Sequence, residues 1–382
     1  MLPRTFIMQL WRSRAAVTVL AVAQLILHPA YAGVTTEGDF RIEYAGDSIG
    51  RHTNLDKAVM SWMTDNDIYA AQLAVRQSSE LIFSHAYTRT SSYSLVETTN
   101  TFRLASVSKM LVTAAFSNLL SSGKLTGAEH VYEYIDVTEP LLSTQSPDPR
   151  AKDINSLELV EHTAGLAGEG AGDPLFEMRD VEVALGAAPL SATQFARYLY
   201  GEPLLSTPGV TYLYSNVGYF LLGRVVQKAA AEPYVDYVQK TLLDPLEMKN
   251  WTLSPTSRAN ADPNEVRADD TDNGPSVFDI SPNAPLAAFN YAGGDIIWEI
   301  AAAPADYVTN AESVSKFIGT HNVYGLGGRA YDYARDGCIP GASTWAESLT
   351  EDIDFALLFN SQPCLSFSSD VIAKIRSILS AL

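Results

Sequence analysis

Charged residues and cysteines are both scarce in this sequence. Only 18% of its 382 residues are Asp, Glu, Lys or Arg, whereas 47% are apolar, which excludes a disordered chain and is enough to fill a large core. Two cysteines are too few for a small fold held together by disulfides. The 26 basic residues are outnumbered by 44 acidic ones, so the surface offers little to nucleic-acid phosphates or anionic lipid. We expect an acidic protein of about two domain-sized units that does not bind nucleic acid.

Signatures of metal, redox and nucleotide chemistry are also absent. The sequence contains no H-E-x-x-H, C-x-x-C or G-x-x-x-x-G-K-[ST] motif, and its histidines are scattered singly. The acidic run at residues 269–274 has the oxygen ligands that calcium prefers, but it lacks the later glutamate of an EF-hand loop. We interpret this run as a solvated loop. The sequence therefore predicts neither a metal nor an organic cofactor.

The first 32 residues have the pattern of a targeting segment. Arg4, Arg12 and Arg14 precede an apolar run at 15–27, and Ala30-Tyr31-Ala32 provides the small residues of a cleavage site. The apolar run is shorter than the ~20 residues that a membrane-spanning helix needs. We therefore predict a secretory signal peptide that is cleaved near Ala32. The protein is then periplasmic or secreted, with no stable membrane insertion after cleavage.

Export also affects the interpretation of Cys338 and Cys364. In an oxidising compartment two cysteines tend to form a disulfide. The two residues lie at nearly equal distances from a polar turn at 349–354, and such positions face each other across an antiparallel hairpin. The sequence favours a disulfide between them, with two free buried thiols as the alternative.

Strand-like patterns lie at both ends of the chain, and helical patterns lie in the middle. The segments are a hairpin at 71–83, a helix at 106–122, mostly helices at 157–246, a long loop at 258–285, strand-like runs after 285 and an amphipathic helix at 371–379. This order predicts an α+β protein whose main domain is discontinuous, formed by residues 33–120 and 285–382. A mainly helical domain at 121–284 is inserted between them.

Serine is the candidate nucleophile, and the S-x-x-K spacing occurs three times. The pairs are Ser106/Lys109, Ser121/Lys124 and Ser313/Lys316. Ser121 and Lys124 lie at a helix end, and the helix that carries Ser313 is predicted to be exposed. Ser106, in contrast, follows an extended segment and begins a buried helix, where Lys109 lies one turn further on the same face. A lysine in an apolar site loses its proton more easily and can act as a base toward the Ser106 hydroxyl.

A second polar motif is Tyr214-Ser215-Asn216, the only Y-x-N in the sequence. A phenol near cations can exchange a proton with a serine, and an amide can orient both a lysine and a substrate carbonyl. Without a serine nucleophile nearby, Ser215 or Asn216 would simply cap a helix.

A rival serine motif, G-x-S-x-G, occurs at residues 46–50. It has no run of strands before it, and no D-x-x-H motif follows it anywhere in the chain. We interpret it as a glycine turn.

Five stretches occur in the order in which one known family has them. They are 102–109 (F-R-L-A-S-V-S-K), 159–166 (L-V-E-H-T-A-G-L), 208–223 with its Y-S-N, 244–248 (D-P-L-E-M) and 292–294 (A-G-G). Together they resemble the serine β-lactamase and penicillin-binding-protein superfamily, with its class C β-lactamase, DD-peptidase and esterase branches. The resemblance covers most of the chain after residue 32. It implies a β-lactamase/transpeptidase-like fold, an antiparallel sheet flanked by helices with an inserted mainly helical domain.

The third motif of this family is the least well matched. The family usually has Lys or His, a small residue and Gly on a strand beside the site, and the counterpart here is Arg335-Asp336-Gly337. Strand alternation directs Arg335 and Gly337 to one side, where a permanent cation can hold a substrate carboxylate and a glycine lets substrate approach the backbone. An ordinary Arg-Asp-Gly turn is the alternative. By resemblance, the backbone N–H groups of Ser106 and Cys338 form the oxyanion hole.

The predicted function is a secreted serine hydrolase that acts through an acyl-enzyme on Ser106. Lys109 and Tyr214 transfer protons, Asn216 orients the substrate, and Arg335 with Gly337 contacts it. The substrate is a small molecule or peptide: an ester, a D-Ala peptide or a β-lactam, with efficient β-lactamase action the least favoured because Arg replaces Lys or His. The alternative is an inactive module of the same fold that binds cell-wall peptide without turnover. The oligomeric state does not follow from the sequence.

Overall fold

A computed structural model describes residues 33–45, 54–90, 93–168, 172–268 and 272–382. Three of the predictions concern residues outside these ranges: the signal peptide at 1–32, the G-x-S-x-G turn at 46–50 and the first half of the acidic run at 269–271. They stay predictions.

The described residues contain twelve β-strands, seven of which form one antiparallel sheet. The strands are β1 (Gly33–Glu37), β2 (Phe40–Tyr44), β3 (Ala70–Gln77), β4 (Glu80–Arg89), β5 (Phe102–Arg103), β6 (Thr252–Leu253), β7 (Asn273–Pro275), β8 (Leu286–Ala288), β9 (Tyr307–Thr309), β10 (Tyr333–Ile339), β11 (Ala342–Ser348) and β12 (Ile353–Phe359). The large sheet has the order β1-β2-β4-β3-β12-β11-β10, so both ends of the chain contribute to it. β3 and β4 form the predicted early hairpin.

Ten α-helices occur in the same ranges. They are α1 (Asn54–Asp65), α2 (Lys109–Ser121), α3 (Val131–Tyr134), α4 (Ser156–Val160), α5 (Met178–Leu185), α6 (Ala192–Tyr200), α7 (Asn216–Ala230), α8 (Tyr234–Val238), α9 (Ala311–Ile318) and α10 (Asp370–Leu379). Six of them lie between residues 131 and 238, and α10 is the predicted closing helix. The α+β class, with an antiparallel sheet flanked by helices, is confirmed. The division into a main and an inserted domain stays a prediction.

The sheet is buried on both faces. α1 and α10 pack together and cover one face, where Val59, Phe83 and Phe355 are among the buried side chains. On the other face a larger apolar cluster extends from the sheet through α2 and α7. Hydrophobic burial on this second face holds α2 and α7 side by side. The two polar motifs lie at the N-terminal ends of these helices, since α2 begins at Lys109 and α7 begins at Asn216.

Two predicted helices differ in detail from the structure. The helix expected at 106–122 begins as a 3₁₀ turn, Ala105–Ser108, and becomes α-helical only at Lys109. α9, predicted to be exposed, packs against β3 and β12 because Val314, Phe317 and Ile318 are buried on its inner side.

Cys338 and Cys364 form a disulfide in the structure, with their Cα atoms 5.3 Å apart. The geometry differs from the predicted hairpin. The chain makes two turns between the cysteines, one between β10 and β11 and one between β11 and β12. Cys338 lies on β10, and Cys364 follows β12. The expectation that both lie on one hairpin around residues 349–354 is wrong, because it left out the additional turn at Pro340-Gly341.

Within the described ranges, no helix combines the length and the apolar character that crossing a bilayer requires.

Candidate active site

The 3₁₀ turn that carries Ser106 is held from two sides. Before it, the backbone N–H of Leu104 donates to Tyr307 O at 2.9 Å, and Leu104 O accepts a hydrogen bond from Thr344 Oγ1 at 2.8 Å. Ala105 has a φ of 48°, a left-handed conformation that is uncommon for a residue with a side chain. Such strain persists only where the surrounding structure fixes it. Ser106 is consequently presented at a fixed position and is partly exposed, whereas Ala105 and Val107 are buried.

Ser106, Lys109 and Tyr214 meet at one hydroxyl oxygen. Lys109 Nζ lies 2.9 Å from Ser106 Oγ, and the Tyr214 hydroxyl donates to the same oxygen at 2.8 Å. Tyr214 is 108 residues away from Ser106 in sequence, and it is brought there because α2 and α7 pack together. The structure therefore brings together the three residues that the sequence predicts as catalytic.

Lys109 is fully buried, and its amine is surrounded by oxygen atoms. Besides Ser106, its Nζ donates to Asn216 Oδ1 at 2.6 Å and to Pro304 O at 2.9 Å. The predicted apolar surroundings are thus only part of its environment. One side-chain amide oxygen and one backbone oxygen hold the amine against the serine hydroxyl.

Asn216 is the first residue of α7. The oxygen and the nitrogen of its side-chain amide each form a hydrogen bond within the protein. Its oxygen accepts from Lys109, and its Nδ2 donates to Asp173 Oδ2 at 2.6 Å. Asp173 fixes the orientation of the amide in this way, since the carboxylate accepts only from the nitrogen end. The sequence analysis did not identify Asp173. The only local signal is Pro174 after it, which marks Asp173 as a helix cap rather than as a site residue.

Burial raises the pKa of the Tyr214 phenol above its ordinary value, although Arg335 and the hydrogen bond with Ser106 lower it. The phenol is therefore protonated at neutral pH. Tyr214 is poised to donate a proton in the resting site, as its hydrogen bond to Ser106 already shows.

Arg335 lies on β10 with only 3% of its surface exposed. Its Nε donates to Val323 O at 3.0 Å and its Nη2 to Tyr324 O at 2.9 Å, and the guanidinium lies 4.5 Å from the centre of the Tyr324 ring. Within the described ranges, no carboxylate forms an ion pair with it. A buried cation without a counter-charge makes this wall electropositive. Whether Arg335 holds a substrate carboxylate stays a prediction.

Gly337 lies where β10 passes closest to the nucleophile. A Cβ atom at this position would be 2.4 Å from Leu104 O and 3.0 Å from Ser106 N, both backbone atoms that cannot move aside. Glycine is therefore required if β10 is to lie against the Ser106 turn. Cys338 follows directly and lines the same cavity as Ser106. That the backbone N–H groups of these two residues form an oxyanion hole stays a prediction.

We expect Gly337→Ala to lower kcat about 10²-fold, because the methyl group forces β10 away from Ser106 and separates the two N–H donors. The free energy of unfolding should fall by about 1–3 kcal/mol from overpacking. Steady-state rates and thermal unfolding of the purified variant measure both effects. Gly328→Ala is the matched control, since its Cβ would lie 3.8 Å from the nearest atom. Equal rates for the two variants would show that this contact does not matter.

A cavity of about 620 Å³ opens onto Ser106. Its walls combine aromatic rings with a few polar groups, and its lining includes Asp173, Phe176, Tyr212, Tyr214, Asn216, Tyr324, Arg335, Asp336, Cys338 and Ile339. A concave site with convergent polar groups is typical of small-molecule and peptide binding. No arrangement of His, Cys, Asp and Glu side chains suited to a metal ion occurs in the ranges that the structure covers.

The other two S-x-x-K pairs do not form comparable sites. Ser121 Oγ donates to Ser117 O, and Ser313 Oγ donates to Asn250 Oδ1. Lys316 Nζ donates to Leu246 O, away from Ser313. In neither pair does the structure show a hydrogen bond between the serine hydroxyl and the lysine amine.

Comparison with known proteins gives a consistent result. The sequence model of the Beta-lactamase family matches residues 55–346, which is more than half of the chain. A putative D-alanyl-D-alanine carboxypeptidase of Escherichia coli (strain K12) is 26% identical over 257 residues, covering 64% of this chain and 56% of that protein. The chain spans about half the length, or less, of the curated relatives it matches.

Solved structures share the fold. A D-stereospecific amidohydrolase from Streptomyces sp. superposes with a TM-score of 0.60 at 17% identity, covering 85% of this chain and 98% of that one. A class C beta-lactamase superposes with a TM-score of 0.60 at 16% identity, covering 86% and 97%. The β-lactamase/transpeptidase-like fold expected from the sequence is confirmed.

Proposed function

Because this chain belongs to the beta-lactamase family, we propose that it is a serine hydrolase that forms an acyl-enzyme at Ser106. The observation that carries the proposal is the convergence of Lys109 Nζ and the Tyr214 hydroxyl on Ser106 Oγ, at 2.9 and 2.8 Å, beside an accessible cavity. A nucleophile with two proton-exchanging groups in hydrogen-bond reach has the parts that acyl transfer needs.

In the proposed acylation step, a neutral Lys109 amine accepts the Ser106 proton. Its two N–H groups donate to Asn216 Oδ1 and Pro304 O, which leaves its lone pair facing the hydroxyl. Ser106 Oγ attacks the substrate carbonyl while the hydroxyl proton moves to Lys109 Nζ, and the Ser106 and Cys338 N–H groups stabilise the oxyanion. The scissile bond then breaks, and its departing atom takes the phenolic proton of Tyr214.

Deacylation reverses these transfers. Where the departing group has taken the phenolic proton, a water molecule attacks the acyl-enzyme carbonyl and gives its proton to the Tyr214 phenolate. The Lys109 ammonium returns its proton to Ser106 Oγ as the ester bond breaks. The sum of both steps is hydrolysis with every enzyme proton restored.

The acyl donors proposed are amides, D-alanyl peptides, esters and β-lactams. The similarity to a putative D-alanyl-D-alanine carboxypeptidase supports a peptide. The buried charge of Arg335, with which no carboxylate of the described residues forms an ion pair, supports a substrate that carries a carboxylate. Rates with a D-Ala-D-Ala peptide, p-nitrophenyl butyrate and a chromogenic β-lactam rank these classes. Turnover of none of them, together with no labelling by a fluorescent penicillin or a fluorophosphonate, would favour the inactive binding module instead.

Replacing Tyr214 by Phe should slow acylation by amide substrates about 10²- to 10⁴-fold, and acylation by p-nitrophenyl esters, measured from the burst of p-nitrophenolate, far less. The difference arises because an amine must be protonated as it departs, whereas p-nitrophenolate leaves without a proton. In the wild type, amide hydrolysis should persist into the alkaline range and decline only as the pH rises through the raised pKa of Tyr214. Initial rates for both substrate types across pH check this.

Tyr212→Phe is the control for this experiment, because Tyr212 also lines the cavity and its hydroxyl bonds to Tyr324 at 2.9 Å instead of to Ser106. An equal loss with both leaving groups in Tyr214→Phe would contradict proton donation by the phenol.

We also propose that the protein works in an oxidising, exported compartment. The disulfide between Cys338 and Cys364 supports this location, since such bonds persist outside the reducing cytosol. Fractionation of expressing cells, with activity assayed in each fraction, tests it.

A further inference from the structure

His162 contacts the segment that carries Tyr214 in three ways. Its backbone oxygen accepts from Leu213 N at 2.7 Å, and its imidazole Nδ1 accepts from Ser215 N at 3.1 Å. Its ring stacks on the Tyr214 ring, with 4.5 Å between ring centres and 28° between planes. His162 thus holds the residues on both sides of Tyr214 by hydrogen bonds, and it holds the phenol ring by stacking.

Tyr219 and the burial of the site also fix the position of the His162 imidazole. It stacks on Tyr219 of α7, with ring centres 4.7 Å apart, and only 2% of His162 is exposed. The residue itself has a φ of 57°, a left-handed conformation in which His and Asn are enriched among residues with side chains. A ring locked between two tyrosines cannot reorient to exchange protons with the cavity.

The charge state of His162 follows from its neighbours. Because Nδ1 accepts a backbone hydrogen bond, the ring proton of the neutral form is on Nε2, which is buried without a hydrogen-bond partner among the described residues. Burial is the main reason why the pKa of His162 is lowered to about 2, and the charges of Lys109, whenever it is protonated, and of Arg335 act in the same direction. A protonated Nδ1 would also lose its acceptor role toward Ser215. The ring is therefore neutral throughout the working pH range.

We infer that His162 is a positioning residue, which holds the Tyr214 hydroxyl against Ser106 as a permanently neutral hydrogen-bond acceptor and takes no part in proton transfer. This inference rests on the proposed role of Tyr214. It assigns a physical task to a buried histidine that stacks on Tyr214 and would otherwise be a candidate general base.

Two variants separate positioning from proton transfer. Asn and Gly both tolerate the left-handed backbone and both remove the ring, but only His162→Asn keeps an oxygen that can accept from Ser215 N–H. We expect His162→Gly to lower kcat about 10- to 100-fold with KM nearly unchanged, as a displaced catalytic group does. His162→Asn should stay within about 3-fold of the wild-type kcat. Equal losses in both variants, or wild-type kcat in His162→Gly, would overturn the inference.

A second measurement does not depend on activity. In Ser106→Ala protein labelled with ¹³C at histidine Cε1, the His162 resonance, assigned by its absence in His162→Asn, should not shift between pH 5 and 9. A titration of this resonance within that range would overturn the inference even if the enzyme were active. If the Ser106→Ala substitution left activity intact, the proposed function would fail while the neutral imidazole would still be observed, so the two failures are distinguishable.

Discussion

Ser106→Ala should abolish turnover while leaving the fold intact. We expect kcat to fall about 10⁵- to 10⁶-fold with every ester, amide and β-lactam that the wild type hydrolyses, because no acyl-enzyme can form without the hydroxyl. The free energy of unfolding should change by no more than about 1 kcal/mol, since only two hydrogen bonds of a partly exposed side chain are lost. Steady-state kinetics and denaturant unfolding measure the two quantities.

Ser121→Ala and Ser313→Ala are the matched controls for this substitution. Each removes the serine of another S-x-x-K spacing, and neither hydroxyl bonds to the lysine of its pair. Both should retain wild-type kcat. Wild-type rates in Ser106→Ala with all substrates would refute the hydrolase assignment.

Lys109→Met should produce a large loss of activity with every substrate class. The methionine side chain keeps most of the buried stem but removes the amine, so Ser106 loses its proton acceptor and kcat should fall about 10²- to 10⁴-fold. Asn216 Oδ1 and Pro304 O also lose a donor, and each unsatisfied buried acceptor costs about 1–3 kcal/mol of stability. The loss of activity should therefore come with a measurable decrease in the free energy of unfolding.

Lys124→Met provides the comparison, because Lys124 has the same spacing from a serine but is exposed. It should leave both kcat and stability unchanged. If Lys109→Met lost stability but kept its kcat, the lysine would be structural only, and the proton acceptor would have to be sought elsewhere.

The sequence predicts the architecture well because apolar periodicity controls it. The β3–β4 hairpin, α7 and α10 all follow from patterns of buried residues. The proposed catalytic residues were recognisable because Ser106 and Lys109 are one helical turn apart, and Tyr214 and Asn216 lie at the start of a helix. Such local spacings survive folding unchanged, whereas the meeting of Tyr214 with Ser106 had to be inferred from the family resemblance.

Features that depend on distant contacts were not predictable in the same way. Asp173 matters only because folding brings it to the Asn216 amide, and its own neighbours in sequence mark a helix cap. Pro304 contributes a backbone oxygen, which carries no sequence signal at all. The turn between β10 and β11 has a local signal, Pro340-Gly341, which the prediction of a single hairpin did not take into account.

Mass spectrometry of the intact protein tests the central claim most directly. The wild type is mixed with penicillin, a D-Ala-D-Ala peptide and p-nitrophenyl butyrate in separate reactions, quenched in acid and then digested. The account predicts that at least one reagent adds its acyl mass, that the adduct maps to the peptide containing Ser106, and that it decays as product appears. An adduct on any other residue, or turnover with no covalent adduct even in single-turnover experiments, would contradict it.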